Sequence, residues 1–391
     1  MREKKNLSVY IHIPFCQSKC IYCDFYSVIK NDKVNDFLEA LHIEIENKLA
    51  NMNNEEYDLY TIYFGGGSPS ILSPKQIQGI ITKIKSIFKS CNKNIEITLE
   101  ANPGQLDFIK LKDYHSAGVN RLSVGVQSFF DDDLKFLSRV HESKDAIKNI
   151  EDAFKAGFEN INVDLIFNLP NQTKKRWIAN LRKAISLPIL HVSAYSLIVE
   201  KGTILNKMIL DNRIKIGNRN FDADLYKAAI DFFYENNFIQ YEVSNFAKEG
   251  FECKHNLTYW NYENYIGLGP SARSFIDKKR FWNYSSLNFY LNSIKEKRDA
   301  VCGSEFLSDE KIIEEFFMLG LRTGLLKIDK AKDFIENKLI LEKFMSQIEN
   351  KLLVLQKEKY LEYDKINKII KLTKKGFLVC DEIILNLLKV L

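Results

Sequence analysis

The 391-residue sequence contains no stretch of about 18 uncharged apolar residues, so no helix is expected to span a membrane. No secretory leader is expected either: Met1 to Leu7 is charged, and the apolar run Val9 to Phe15 is short and contains His12 and Pro14. There is no internal repeat and no low-complexity linker. Nor is there an excess of one charge sign. The 56 Lys and Arg against 51 Asp and Glu leave a net +5, which is too mild to argue for a nucleic-acid partner. What remains is an ordinary globular balance, 46% apolar and 27% charged, in a chain long enough for one large domain and a smaller one. A cytoplasmic protein is expected, with peripheral attachment to a membrane left open.

Seven cysteines are an odd number, and three of them crowd into the eight positions from Cys16 to Cys23. In a cytosolic chain such a cluster reads as metal binding rather than disulfides. Short β-branched apolar runs recur at Leu7–Ile13, Leu59–Phe64, Ile95–Glu100, Arg121–Gly125, Asn160–Phe167 and His191–Leu197. Helical periodicity fills the gaps at Asp32–Leu49, Pro74–Phe88, Asp131–Leu137, Lys144–Ala156 and Lys174–Ile185, with Asn31, Ser73, Ser143 and Thr173 as expected N-caps. Strands alternating with helices predict a parallel sheet with right-handed crossovers, here an α/β partial (β/α)6 barrel. Beyond it, the pattern predicts a helix at Phe221–Asn236 and a strand at Ile239–Val243. A small, mainly helical, winged-helix-like unit follows, with helices at Asp309–Leu321, Leu339–Lys351 and Lys374–Leu388 and strands near Leu352–Leu355 and Leu361–Tyr363. The expected domains are therefore a barrel core over 1–245, a Gly- and aromatic-rich segment over 246–303 packing on it, and the C-terminal unit over 304–391.

Polar features gather at the C-terminal ends of the predicted strands: Cys16, Gly65–Gly67, Glu100, Gln127 and Asp164. In parallel barrels that end is where ligands sit, which places these residues around one cavity.

Cys16-x-x-x-Cys20-x-x-Cys23 follows the first strand directly. Such a loop can present three thiolates to an iron–sulfur cube, whose clusters usually take four. The fourth iron is then open to a ligand. A Cys3His zinc site using His12 and three buried structural cysteines are the competing arrangements. The segment Tyr10-Ile-His12-Ile-Pro-Phe15-Cys16-Gln-Ser-Lys-Cys20-Ile-Tyr22-Cys23-Asp-Phe25 resembles the opening of the radical-SAM superfamily, in its coproporphyrinogen-oxidase-like branch. The resemblance implies a [4Fe–4S] cluster on Cys16, Cys20 and Cys23 with S-adenosylmethionine (SAM) at the open iron.

The same resemblance implies a SAM site along most of the chain. Tyr10, in the opening segment, would be a SAM contact, and Tyr22 would lie by the adenine. Gly66, Gly67 and Ser68, in Tyr63-Phe-Gly-Gly-Gly-Ser68-Pro, would meet the SAM amino group. Glu100 and Gln127 are further contacts, Arg139 would pair with the SAM carboxylate, and Asp164 would stand near the ribose. Glycine suits close backbone approach and a guanidinium suits a carboxylate. In isolation these residues would read as turns, caps, a surface arginine and a satisfied structural acid. His12 would stand behind the cluster rather than ligate it.

Within the branch two readings compete, an oxygen-independent coproporphyrinogen III oxidase (or another radical enzyme acting on a tetrapyrrole) and a haem chaperone. The oxidase has a further cysteine two residues past the third ligand, where Phe25 stands here, and a long arm ahead of the cluster motif, where only 15 residues precede Cys16. Cys253-Lys-His255-Asn-Leu-Thr-Tyr259-Trp260 resembles the motif of the chaperone branch proposed to bind haem. It makes His255 a candidate iron ligand, Cys253 a second ligand or attachment point, and Tyr259 and Trp260 candidate covers for the macrocycle. The chaperone reading is preferred, and catalytic residues are left unassigned. Its implied partners are haem as cargo, an acceptor protein for which a membrane respiratory protein is one candidate, and an electron donor if radical chemistry occurs. A homodimer is left open. Cys91, Cys302 and Cys380 are expected in apolar packing; for His191, at a strand start, nothing beyond position suggests an approach to the cavity.

Overall fold

A computed structural model describes residues 4–29, 32–52 and 56–390. Six strands occupy the predicted positions: β1 (Lys5–Ile13), β2 (Tyr57–Gly66), β3 (Cys91–Ala101), β4 (Arg121–Gln127), β5 (Asn160–Phe167) and β6 (His191–Ser196). They pair in parallel and in sequence order, with helices in every connection, which is the expected partial barrel.

Each strand alternates. On β1, Leu7, Val9, Ile11 and Ile13 are fully buried in the core beneath the helices, while Ser8, Tyr10 and His12 take the other face. On β3, Ile97 and Leu99 face the helices and Glu96, Thr98 and Glu100 face away from them; on β4, Leu122 and Val124 alternate with Arg121 and Ser123. Parallel strands buried on both faces normally read as unbroken apolar runs. The alternation here reports a barrel whose lumen is polar, so it is furnished for ligands rather than filled with branched side chains.

The helices follow their caps. The helix Pro74–Ile87 buries Ile77, Ile80, Ile81 and Ile84 and starts from a capping box between Ser73 and Gln76. Thr173 caps Lys174–Ile185 through the Arg176 amide. Ser143 is already inside its helix, whose cap is Glu142, and Asn31 lies outside the described residues.

Six more strands extend the sheet: β7 (Ile239–Gln240), β8 (Asn245–Ala247), β9 (Tyr265–Leu268), β10 (Arg273–Ile276), β11 (Lys279–Asn283) and β12 (Val301–Phe306). β8 runs antiparallel to β6 and β9 runs parallel to β1, so the segment after residue 245 adds strands at both edges of the barrel sheet. The predicted strand over Ile239–Val243 is only the two residues of β7.

The C-terminal unit has a core of its own around Phe316, Phe317, Phe344, Ile348 and Leu387, and a three-stranded antiparallel sheet. The strand expected at Leu352–Leu355 is instead the last turns of the helix Lys338–Lys357. Leu352 continues the buried stripe Leu341, Phe344, Ile348, and that helical period outweighs the short apolar run Leu352–Leu355. The predicted helix Lys374–Leu388 is broken into Lys374–Phe377 and Cys380–Leu388. Cys380 is buried as expected, but Cys91 and Cys302 are exposed, because one starts β3 and the other lies on the edge strand β12. No helix among the described residues is long and apolar enough to cross a membrane.

Candidate functional site

A cavity of about 430 Å³ opens at the C-terminal ends of the strands. Cys16, Cys20 and Cys23 all line it. Their loop is closed at its base by backbone bonds between Cys16 and Val28 (3.0 Å) and between Val28 and Pro14 (2.7 Å), so it leaves β1 and returns as one unit. No group of three His, Cys, Asp or Glu side chains among the described residues is drawn together as a single-ion site. A cubane needs its thiolates farther apart, because each meets a different iron. His12 is committed elsewhere: its Nε2 bonds the Tyr26 carbonyl at 2.9 Å and its Nδ1 the Tyr10 hydroxyl at 3.3 Å. The donor set therefore suits a cluster better than a Cys3His zinc site.

The glycine motif at the end of β2 presses on this loop. The amides of Gly67 and Ser68 donate to the carbonyls of Ile13 (2.8 Å) and Phe15 (2.7 Å). A Cβ on Gly67 would stand 2.6 Å from the Phe15 oxygen and 3.0 Å from Cys16 Sγ, and Gly66 has φ of 106° against the His12 ring. Glycine is needed at both positions, one for space and one for backbone conformation.

Opposite the cysteines stand two carboxyl groups. Glu100 accepts a hydrogen bond from Tyr63 Oη at 2.8 Å, and Asp164 is held by Asn162 Nδ2 at 2.7 Å and Ser123 Oγ at 3.4 Å. Burial raises both; Glu100 is pushed up to about 7, with Asp164 reinforcing the shift and the Tyr63 bond opposing it. A ligand cation in the cavity would favour their ionised forms.

Gln127 ends β4 in a left-handed conformation, φ 68°. Arg139 reaches in from the loop before the helix Ser143–Lys155, and its Nη2 bonds Asn102 Oδ1 and the Gly125 carbonyl. Its Nε is buried with no hydrogen-bond partner. Such an orphaned donor is costly unless a ligand completes it, and a carboxylate would do so. Tyr22, Gly66, Gly67, Ser68, Glu100, Gln127, Arg139 and Asp164 thus line one cavity with the cysteines, as do Asn102, Ser123 and Tyr195, which the sequence pattern did not single out. Tyr10 is the exception. It lies deeper in the barrel, its ring 6.1 Å from Tyr63 and 6.2 Å from His255, and does not line the cavity.

The Cys253–Trp260 motif forms the floor of the barrel. The helix Lys254–Trp260 inserts beneath the lumen, where the Glu96 carboxylate accepts the amides of Lys254 and His255, each at 3.0 Å. His255 is 1% exposed, its Nδ1 bonded to Thr61 Oγ1 at 2.6 Å and its Nε2 to Tyr259 Oη at 2.8 Å. Cys253 is fully buried against Glu96, its thiol pushed up to about 12 by burial. Trp260 ends the helix half-buried. His191, fully buried, bonds Asn162 and Tyr241 in the same lower layer and does not line the cavity. The structure therefore separates two layers, the candidate cofactor residues above and the candidate haem residues below, and both ring nitrogens of His255 are engaged.

Residues 10–184 match the model of the radical SAM superfamily. The heme chaperone HemW of Bacillus subtilis is 41% identical over 316 residues, which is 81% of this chain and 83% of that protein. This chain belongs to the HemW family. The HemW family members of Lactococcus lactis and Escherichia coli agree: the first is 36% identical over 96% of both chains, the second 36% identical over 68% of this chain and 69% of its own. The fold matches the structure of E. coli coproporphyrinogen III oxidase, a radical SAM enzyme, with a TM-score of 0.81 at 22% identity over 99% of this chain and 91% of that one. That likeness establishes the shared architecture. The radical SAM superfamily implies a [4Fe–4S] cluster and SAM, and the cavity offers residues that fit both.

Proposed function

We propose that this chain carries haem and passes it to an acceptor protein, on a scaffold that holds a [4Fe–4S] cluster and SAM. The observation that carries the reading is membership of the HemW family over up to 96% of the chain, joined to Phe25 at the mouth of the cavity where the oxidase branch has another cysteine. Phe25 is 63% exposed and Ile198, also in the cavity lining, is 64% exposed, so two apolar side chains stand at the surface beside the charged Lys19, Asp24 and Glu200.

Cys16, Cys20 and Cys23 would ligate three irons and leave the fourth for SAM. When bound, the pair supplies one-electron cleavage of a sulfonium bond. The chain's own residues orient and enclose: Arg139 completes its orphaned donor on a carboxylate, Gly66, Gly67 and Ser68 give backbone room to an amino group, and Tyr22 covers the adenine. Gln127 is a further contact, while Glu100 and Asp164 hold the polar side of the nucleoside. His12 supports the loop from behind and Tyr10 supports that layer from below.

His255, Cys253, Tyr259 and Trp260 remain the candidate haem residues, and the closed floor sets a condition on them. Ligation by His255 requires a ring nitrogen to leave Thr61 or Tyr259 and the buried floor around the helix Lys254–Trp260 to open. Haem uptake is then expected to deprotect the amides of 254–260, followed by hydrogen exchange during a titration read by absorption. Haem binding with unchanged protection there would remove His255 from the site; no haem binding at all would defeat the carrier reading. The electron donor and the acceptor protein would meet the chain from outside this cavity.

A further inference from the structure

One hydrogen-bond chain runs between two of the cluster cysteines. Ser68 Oγ donates to Cys16 Sγ at 3.7 Å, and Asn102 Nδ2 donates to Ser68 Oγ at 2.7 Å. Arg139 Nη2 donates to Asn102 Oδ1, and Arg139 Nη1 donates to Cys20 Sγ at 3.5 Å. The chain crosses the cluster loop, the ends of β2 and β3, and the loop bearing Arg139. Gly125 leaves it room, since a Cβ there would stand 3.3 Å from both Asn102 Oδ1 and Arg139 Nη2.

Its polarity is fixed from one end. A guanidinium only donates, so Asn102 must turn its oxygen toward Arg139 and its amide nitrogen toward Ser68. Ser68 then accepts from Asn102, and its own proton is free to point at Cys16. Both sulfurs thereby receive a hydrogen bond. The amide of Asn102 can do both at once, accepting on its oxygen and donating from its nitrogen.

We infer that Asn102 is a positioning residue for the cluster: it sets the direction of this chain, holds Ser68 and Arg139 against Cys16 and Cys20, and through them raises the cluster's reduction potential. The inference rests on the cluster reading above. Hydrogen bonds to cluster sulfurs are one of the protein's controls on potential, because they favour the more negative, reduced state.

The test uses the full chain reconstituted anaerobically, with iron and sulfide content measured first and the midpoint potential read by EPR-monitored titration. Asn102→Ala opens the chain at its centre. Asn102→Asp keeps the size and the Arg139 contact but can only accept, so it turns the Ser68 proton away from Cys16. Both variants are expected to load the wild-type complement of iron and sulfide and to show a lower potential. At fixed solution potential the reduced-to-oxidised ratio should fall about tenfold in Asn102→Ala, which is about 59 mV for a one-electron couple. Full loading with an unchanged potential in both variants overturns the inference and leaves the cluster reading standing. Absence of a cluster from the wild-type protein overturns the cluster reading first, and the inference with it. If Asn102→Ala loads poorly, Asn102→Asp decides alone.

Discussion

Replacing Cys16, Cys20 and Cys23 together with Ala is expected to abolish iron and sulfide binding while leaving the chain folded. The loop's shape does not depend on the thiols. It is tied by the Cys16–Val28 and Val28–Pro14 backbone bonds and by the amides of Gly67 and Ser68. Ile21, in the middle of it, packs in a small apolar cluster with Leu137, Ile166, Leu169, Leu197 and Leu205. Three thiol-to-hydrogen changes at the cavity wall remove little apolar contact, so the circular dichroism and thermal midpoint of the unloaded variant should stay close to those of the unloaded parent. The loaded parent should instead contain iron and sulfide in equal amounts. Retention of the cluster by the triple variant would mean that other residues are the ligands; zinc without sulfide in the parent would mean a different metal site.

His255→Ala should destabilise the protein by about 4 kcal/mol, the sum of a vacated volume in the barrel floor and two hydroxyls left without their partner. The side chain fills the space between Tyr63, at 4.8 Å between ring centroids, and Tyr259, at 5.1 Å, and it satisfies Thr61 Oγ1 and Tyr259 Oη. Tyr259→Phe removes one of those bonds and no comparable volume, so it should cost about 1 kcal/mol. The effect carries a pH signature. Burial, assisted by Arg121, depresses His255 from 6.5 to about 3, so the folded state holds the ring neutral while the unfolded chain takes up a proton. This contribution to stability is complete above about 6.5 and is lost as pH falls toward 3. Denaturant midpoints between those limits should therefore fall less steeply in His255→Ala than in the parent. Equal slopes, or a loss under about 1 kcal/mol, would show that the floor is open in solution and His255 is solvated.

Much of the barrel was legible because each core strand carries a period of two. In β1, Leu7, Val9, Ile11 and Ile13 declare one face and Ser8, Tyr10 and His12 the other, and the odd polar residue at each strand end points to the cavity. What was not legible depends on pairings across long stretches of chain. β9 joins β1 more than 250 residues away, and nothing in Tyr265–Leu268 announces its partner. Glu96 and Glu100 look equivalent on one strand, yet one caps the floor helix and the other faces the cavity. Asn102 reads as a turn residue after a strand; its role emerges only when Ser68 and Arg139 arrive from either side. Local pattern also misled at Leu352–Leu355, where a short apolar run stood inside a helical stripe, and at Cys91 and Cys302, whose exposure follows from strand ends and edges rather than residue type.

The chain is expected to carry haem and not to decarboxylate a porphyrinogen in the cavity. The most direct test incubates the reconstituted protein anaerobically with SAM, a reductant and coproporphyrinogen III, and follows porphyrinogen products by chromatography, with haem titrated into the same preparation. Saturable haem binding is expected, with no protoporphyrinogen above the level of the Cys16, Cys20, Cys23→Ala variant. Robust, cluster-dependent protoporphyrinogen formation without haem binding would contradict that expectation.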